Sequence, residues 1–342
     1  MTRYKYWILI WGVLYFSACD KDFEVDYSVQ ADYNLLFEYL KNDYAYRDYH
    51  HQSMEALRLK YLPLIEANPT EGTLADVILK LRWEDLQDPH FYPNLDLSPY
   101  SSISKPASTL ETIKPLFHEI NIIQSNHFYT YGTVNSDSTI GYIYVNAFNS
   151  KVGGSSSLGV EDGVSEINAI LQIFETKGIH ALIVDIRSYA GGSNYVPRYI
   201  AQRFSNKEAI YMNEYYPVGT GFQKKEWMVK PQGTIGFRTG KVALLSNGRT
   251  CSGGEMFVLA MLQRDNLVHI GSRSLGCTGN ITHKDLSNGW GITMTNSRTE
   301  HPDGTSYFKV GITPNIIIEN DSTYGDSSFE DQLIKQALIA LQ

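Results

Sequence analysis

Apolar positions along the chain follow two different rhythms, and the change comes near residue 140. From about Tyr27 to Leu86 the spacing is helical. In "YNLLFEYLKNDYAY", Leu35, Leu36, Tyr39 and Leu40 recur near one side of a helix, and "MEALRLKYLPLI" repeats the pattern. In "NPTEGTLADVILKLRWEDL" a turn precedes an amphipathic run, with Thr73 as the expected N-cap. Pro89 disfavours the helical region for Asp88, so this helix should end near "QDPH". Residues 96–138 are mixed and loop-rich, with strand-like "FHEINIIQ" and "HFYTYGTV".

From Ile140 strands and helices alternate. "IGYIYVNAF" predicts a strand, "GVSEINAILQIFE" an amphipathic helix and "GIHALIVDIRSY" a strand apolar nearly up to Asp185. "NYVPRYIAQRF" predicts a helix, "GKVALLSN" a strand, "GEMFVLAMLQR" a helix and "NLVHIGSR" a strand. Continuous apolar strands separated by helices imply an α/β fold with a largely parallel sheet covered on both faces.

Composition adds bounds. The chain has 342 residues, of which 43% are hydrophobic and 19% charged, which suits a packed globular protein. A formal net charge of -8 without a basic tract argues against nucleic acid as a partner. At the N-terminus Arg3 and Lys5 precede the apolar run "WILIWGVLYF", which is short for a bilayer span, and then "SAC". This reads as a secretory signal over residues 1–18. Ser17 and Ala18 before Cys19 resemble a bacterial lipobox, which implies cleavage before Cys19 and lipidation of its thiol. A plain signal peptide or a short membrane anchor is the alternative. The acidic stretch that follows, "DKDFEVD", resembles the export tethers of Bacteroidetes lipoproteins. Cys251 and Cys277 then remain as candidates for one disulfide. With neither CxxC nor HExxH in the chain, no metal is expected, and no cofactor.

The chemistry concentrates in two glycine turns. In "NGRTCSGGE", Ser252 stands between a predicted strand and a predicted helix. A serine there has its Oγ at the carboxyl edge of a sheet, next to outward-pointing N–H groups at a helix N-terminus, as acyl transfer requires. The alternative is a plain turn serine. In "DIRSYAGG", Gly191 and Gly192 follow another buried strand and let backbone N–H groups approach a ligand oxygen closely, or simply make a tight turn.

Taken in order, "LQDPH", "DIRSYAGG", "NGRTCSGGE", "SNGW" and "DGTSYFKVGITPN" resemble the motifs of the S41 serine peptidases, the C-terminal-processing and tricorn-core peptidases. The resemblance implies a ClpP/crotonase-like β-α-β core with a mainly helical N-terminal domain. It implies Ser252 as nucleophile and the amides of Gly253 and of the Gly191-Gly192 turn as the oxyanion hole. One branch of the family activates its serine with a lysine on the following strand. Here that place falls at or near Cys277, and the next lysine is Lys284. The tricorn-like branch uses a histidine ahead of the core, matched by His90. Imidazole suits the task, since a serine hydroxyl needs a nearby base at neutral pH.

Four positions depart from the family pattern. Phe308 stands where a glutamate helps orient the base, Pro89 where Gly or Ser precedes the histidine, Tyr189 where Asn is usual, and Asn315 where Asp is usual. Glu300, Asp303 or Asp88 are candidate replacements for the orienting acid. A disulfide between Cys251 and Cys277 would lie beside the site. About fifty residues separate His90 from Tyr142, which leaves no obvious PDZ domain. The expected organisation is a signal peptide (1–18), a lipidated tether (19–27), a helical domain (28–95), a linker with a small β segment (96–138) and a peptidase core (139–342). The expected function is a serine endopeptidase acting on peptides or proteins, held to the cell envelope at the outer membrane by its lipid. The alternative is a catalytically impaired relative that binds peptides or another ligand.

Overall fold

The computed structural model describes residues 28–94, 120–126, 128–146, 160–189, 191–192, 195–318 and 332–342. The predicted leader and Cys19 lie outside them, as do residues 95–119, which include the first part of the loop-rich stretch. Among the described residues, no helix is long and apolar enough to cross a membrane.

Three helices open the described chain: α1 (Val29–Asn42), α2 (Met54–Ala67) and α3 (Glu71–Lys80). Ser28, Ser53 and Thr70 cap them, each side chain accepting the N–H three residues on. Thr73, the sequence-based candidate, lies inside the third helix and donates its N–H to Thr70 at 3.3 Å. The earlier start follows because Thr70 has the extended backbone an N-cap needs, φ -114° and ψ 155°. The chain continues through a π-helical turn (Leu81–Leu86) and stops where Gln87 turns left-handed, just ahead of Pro89, as the proline requires.

Strands β1 (Tyr92–Asn94), β2 (Ile120–Ser125), β3 (Tyr129–Val134) and β4 (Ile140–Val145) lead to helix α4 (Val160–Thr176) and strand β5 (Ala181–Asp185). Helix α5 (Tyr195–Phe204), the hairpin β6 (Ala209–Val218) and β7 (Gly221–Val229), strand β8 (Lys241–Ser246), helix α6 (Gly253–Met261) and strand β9 (Leu267–Gly271) follow. The chain closes with β10 (Ile281–Asp285), β11 (Gly291–Thr295), β12 (Arg298–Glu300), β13 (Ile316–Ile317) and helix α7 (Gln332–Leu341).

The main sheet has the order β13-β9-β8-β5-β4-β3-β2. Its pairings are parallel from β13 to β4 and antiparallel from β4 to β2. The predicted boundary at residue 138 therefore runs through one hydrogen-bonded sheet. Both faces are covered, which is why the strands read as continuous apolar runs. Leu182, Val184, Val242 and Leu244 face α4, α5 and α6, while Ile183, Ala243 and Leu245 face α7. Each fully buried aliphatic side chain contributes roughly 1.5–3 kcal/mol. The β6–β7 hairpin, which the alternating pattern did not predict, pairs with β12 in a second sheet.

The third sheet, β1-β11-β10, carries the helical part. Leu36, Leu40, Leu57, Leu74 and Phe91 share a core with Trp290, Ile292, Met294 and Phe308. "SNGW" is the turn between β10 and β11. The buried Asp32 of α1 accepts the N–H of Ser287 at 2.6 Å and of Asn288 at 3.2 Å, docking that turn on the helix. This packing brings His90, which precedes β1, toward the core of the molecule.

Candidate active site

Two turns at the carboxyl ends of β5 and β8 build the site, and polar side chains lace them together. Asp185 ends β5 and pairs with Arg187, whose Nη2 lies 2.6 Å from its carboxylate, and both are buried. Such a pair survives burial only when its remaining valences are filled. Here Tyr142 donates to Asp185 at 2.7 Å and Tyr144 to the Arg187 carbonyl at 2.9 Å. Asn247 accepts the N–H of Ser188 at 2.8 Å, and Thr250 donates to the Ile186 carbonyl at 3.0 Å. The Cys251 N–H reaches the Tyr189 carbonyl at 2.9 Å. The Asp and Arg of one motif and the Asn and Thr of the other thus serve to lock two turns at one edge.

Ser252 follows this lock, with φ 53° and ψ -119° just ahead of α6. A non-glycine residue held there costs of order 1–3 kcal/mol and persists only when its surroundings over-determine it. The sharp strand-to-helix turn projects a serine hydroxyl from the sheet edge. The side chain is partly exposed, while Cys251 and Gly253 on either side are buried. Gly191 comes against it. A Cβ at Gly191 would lie 2.8 Å from Ser252 Cβ and 3.2 Å from its Oγ, and the glycine has φ +118°. Only glycine fits both requirements. The backbone N–H groups of Gly253 and Gly191 make no hydrogen bond among the described residues and remain as donors. Gly192 is exposed beside them.

His90 is placed by Asp88. That buried carboxylate accepts the His90 N–H at 2.8 Å through one oxygen and the Thr295 hydroxyl at 2.6 Å through the other. Asp88 therefore positions the backbone of His90 through its hydrogen bonds and acts on the ring through its charge. The ring reaches the disulfide that joins Cys251 to Cys277: a ring nitrogen and the two sulfurs all lie within 4.8 Å of one another. Among the described residues Nδ1 of His90 is buried without a hydrogen-bond partner, and no hydrogen bond joins the ring to Ser252. Burial pushes the His90 pKa below the ordinary imidazole value, with the nearby Asp88 charge opposing, which favours the neutral ring.

Of the three candidate orienting acids, Asp88 thus lies beside His90, while the other two make their contacts elsewhere. Glu300 pairs with Arg298 at 3.3 Å, and Asp303 caps its own turn through His301 and Thr305. Phe308 is fully buried and stacks on Tyr46 with ring centroids 3.6 Å apart. Lys284 pairs with Asp43 at 2.8 Å on the third sheet.

The residue that sequence reasoning left without a role is Glu255. Its buried carboxylate accepts the Ser274 hydroxyl at 2.6 Å and the N–H groups of Gly276 at 2.7 Å, Cys277 at 2.9 Å and Ser252 at 3.2 Å. Desolvation raises its pKa, opposed by these four bonds. The signal lay in the motif itself, where an acid three residues after a helix-capping serine is a capping-box spacing. Asn315, where the family has Asp, accepts the N–H of His269 at 3.0 Å through its side-chain oxygen, a bond an amide makes as readily as an acid.

The sequence pattern of peptidase family S41 matches residues 139–318. The chain belongs to this family of serine peptidases. A carboxy-terminal-processing protease of Bartonella bacilliformis is 24% identical over 208 residues, covering 58% of this chain and 45% of the relative, so the match spans less than half of that protein. Among solved structures, a candidate peptidase from Parabacteroides merdae superposes with a TM-score of 0.69 at 20% identity, covering 85% of this chain and 90% of the other. Mature CPAF superposes with a TM-score of 0.61 at 11% identity, covering 84% and 92%. The fold is that of the S41 peptidases.

Proposed function

We propose that the chain is a serine endopeptidase in which Ser252 attacks the scissile carbonyl. The observation that carries this reading is the turn at Ser252: a strained serine at a helix N-terminus, with Gly191 against its side chain and the N–H groups of Gly253 and Gly191 unpaired among the described residues. In the reaction His90 takes the hydroxyl proton as Oγ attacks, and the amides of Gly253 and the Gly191-Gly192 turn hold the oxyanion. The neutral ring of His90 suits a base. Collapse of the tetrahedral species expels the amine, which takes the proton back from His90, and water then releases the acyl group by the same steps. The substrate is a peptide or protein segment. The chain is exported and tethered to the envelope through a lipid on Cys19, as the N-terminal pattern implies.

A second reading is a catalytically impaired relative that binds peptides. It is favoured by the Nδ1 of His90, which has no orienting partner, and by Phe308 in place of an acid. Labelling of the purified chain with a fluorophosphonate separates the two. The peptidase reading expects labelling that Ser252→Ala abolishes and His90→Ala reduces by about 10²–10⁴-fold, the usual worth of a general base. A folded wild type that does not label favours the binding reading. Labelling lost only in Ser252→Ala moves the base away from His90.

A further inference from the structure

We propose that Cys251, Cys277 and His90 form a metal site, available when the Cys251–Cys277 bond is reduced and suited to a zinc-like ion. Three observations point to it. The donor atoms of the three side chains already lie within 4.8 Å of one another. A tetrahedral zinc with two thiolates at about 2.3 Å and an imidazole at about 2.0 Å needs donors roughly 3.3–3.8 Å apart, so once the S–S bond is reduced the sulfurs must part and the His90 ring need move only within the space the three donors already share. The Cα atoms of the cysteines are 5.5 Å apart, which accommodates either arrangement.

The second observation is the buried Nδ1 of His90, which has no hydrogen-bond partner among the described residues. Buried imidazole nitrogens are rarely left so, and this ring is the one that brings a nitrogen beside the two sulfurs. The third is that the backbone at both cysteines is held independently of the S–S bond. The Cys277 N–H is held by Glu255 at 2.9 Å, and the Cys251 N–H by the Tyr189 carbonyl at 2.9 Å. Reduction therefore leaves the two thiols facing the same space.

The chemistry balances as follows. A dithiol reductant gives two electrons and two protons to the S–S bond and leaves as its own disulfide, producing the thiols of Cys251 and Cys277. Each thiol then loses its proton to water and donates a sulfur lone pair to the ion, and the neutral ring of His90 donates a nitrogen lone pair. Two Cys and one His leave a fourth position open to water. On the reading of His90 as base, an ion there withdraws the base from Ser252. The oxidised chain is then the peptidase, and the reduced, metal-bound chain is a resting form.

Cobalt(II) absorption tests the site without relying on activity. The full chain is reduced with a water-soluble phosphine, desalted without oxygen and titrated with Co2+. The expected result is a thiolate-to-cobalt charge-transfer band that saturates at one ion per chain, is bleached by Zn2+ and is absent from the unreduced protein. Cys277→Ser, which keeps Cys19 and Cys251, should lose the band. His90→Ala should bind at least tenfold more weakly, since loss of even a hydrogen-bond partner behind a ligand costs about 10–100-fold. A reduced chain that keeps its far-UV circular dichroism and shows no band overturns the proposal. Wild-type affinity in His90→Ala, or loss of the fold on reduction, does so equally. Ser252→Ala should bind cobalt as the wild type does. A cobalt band in a protein that never labels with fluorophosphonate removes the peptidase reading and leaves the metal site standing, and labelling without a band does the reverse.

Discussion

The carboxylate of Glu255 accepts the backbone N–H of Ser252 at 3.2 Å while holding Ser274, Gly276 and Cys277 on its other lone pairs. One buried acid thus braces the Ser252 turn against the loop that carries the second cysteine. Glu255→Gln keeps the shape but turns an NH2 group toward N–H donors. Leaving buried donors unpaired costs about 1–3 kcal/mol each. The expected outcome is a fall of that size in urea unfolding, with slower fluorophosphonate labelling of Ser252 in the protein that remains folded.

Gly191 sets the width of the site. In Gly191→Ala the methyl group would meet Ser252 Cβ at 2.8 Å, on a backbone with φ +118°. Both the clash and the dihedral oppose the substitution. Labelling is expected to fall more than about tenfold, the consequence of losing about 1.4 kcal/mol or more of transition-state stabilisation. Wild-type labelling in this variant would show that the 191 turn does not border the reacting atoms.

The disulfide spans 26 residues of sequence. Closing a loop of that size in the unfolded chain contributes about 3 kcal/mol to stability. Non-reducing peptide mapping should recover the Cys251 and Cys277 peptides as one species. Unfolding free energies from denaturant titrations with and without reductant, in the absence of metal, should differ by about that energy. Two free thiols in the mapped protein would contradict the bond.

His269 makes stability depend on pH. Its ring is buried between strands, with Nε2 2.7 Å from the Ser246 hydroxyl and Nδ1 unpaired, and desolvation pushes its pKa down to about 4 from 6.5. A depressed histidine pKa means that the unfolded chain binds the proton first. This contribution to stability is full above pH 6.5 and is lost as the pH falls from 6.5 toward 4. The shift corresponds to about 3 kcal/mol. Urea unfolding at pH 7 and pH 4 should show the loss, and His269→Asn should flatten that part of the profile.

Much of this was legible in the chain. The alternation after Ile140 gave β4, β5, β8 and β9 with their intervening helices, because strands covered on both faces must be apolar throughout. Ser252, Gly253, Gly191 and Gly192 could be singled out because strand–glycine turn–helix is a local pattern. The cap of α3 was misplaced by three residues, since Thr70 and Thr73 are equally good caps by type and only the backbone conformation distinguishes them. The β6–β7 hairpin was missed because its strands are partly exposed and depart from the apolar pattern. "SNGW" became a turn because Asp32, some 255 residues away, binds its backbone N–H groups.

By itself the sequence determined the fold class, the family and the turn that carries Ser252, all of which depend on patterns within a few residues. The tertiary structure alone decided what surrounds that turn. It brought His90 from the helical part to the Cys251–Cys277 bond, gave Glu255 its four donors, and packed Phe308 on Tyr46. The reason is physical. Periodicity and turn chemistry act between near neighbours, whereas a site is assembled by packing, which joins residues such as His90 and Cys277 that no local rule relates.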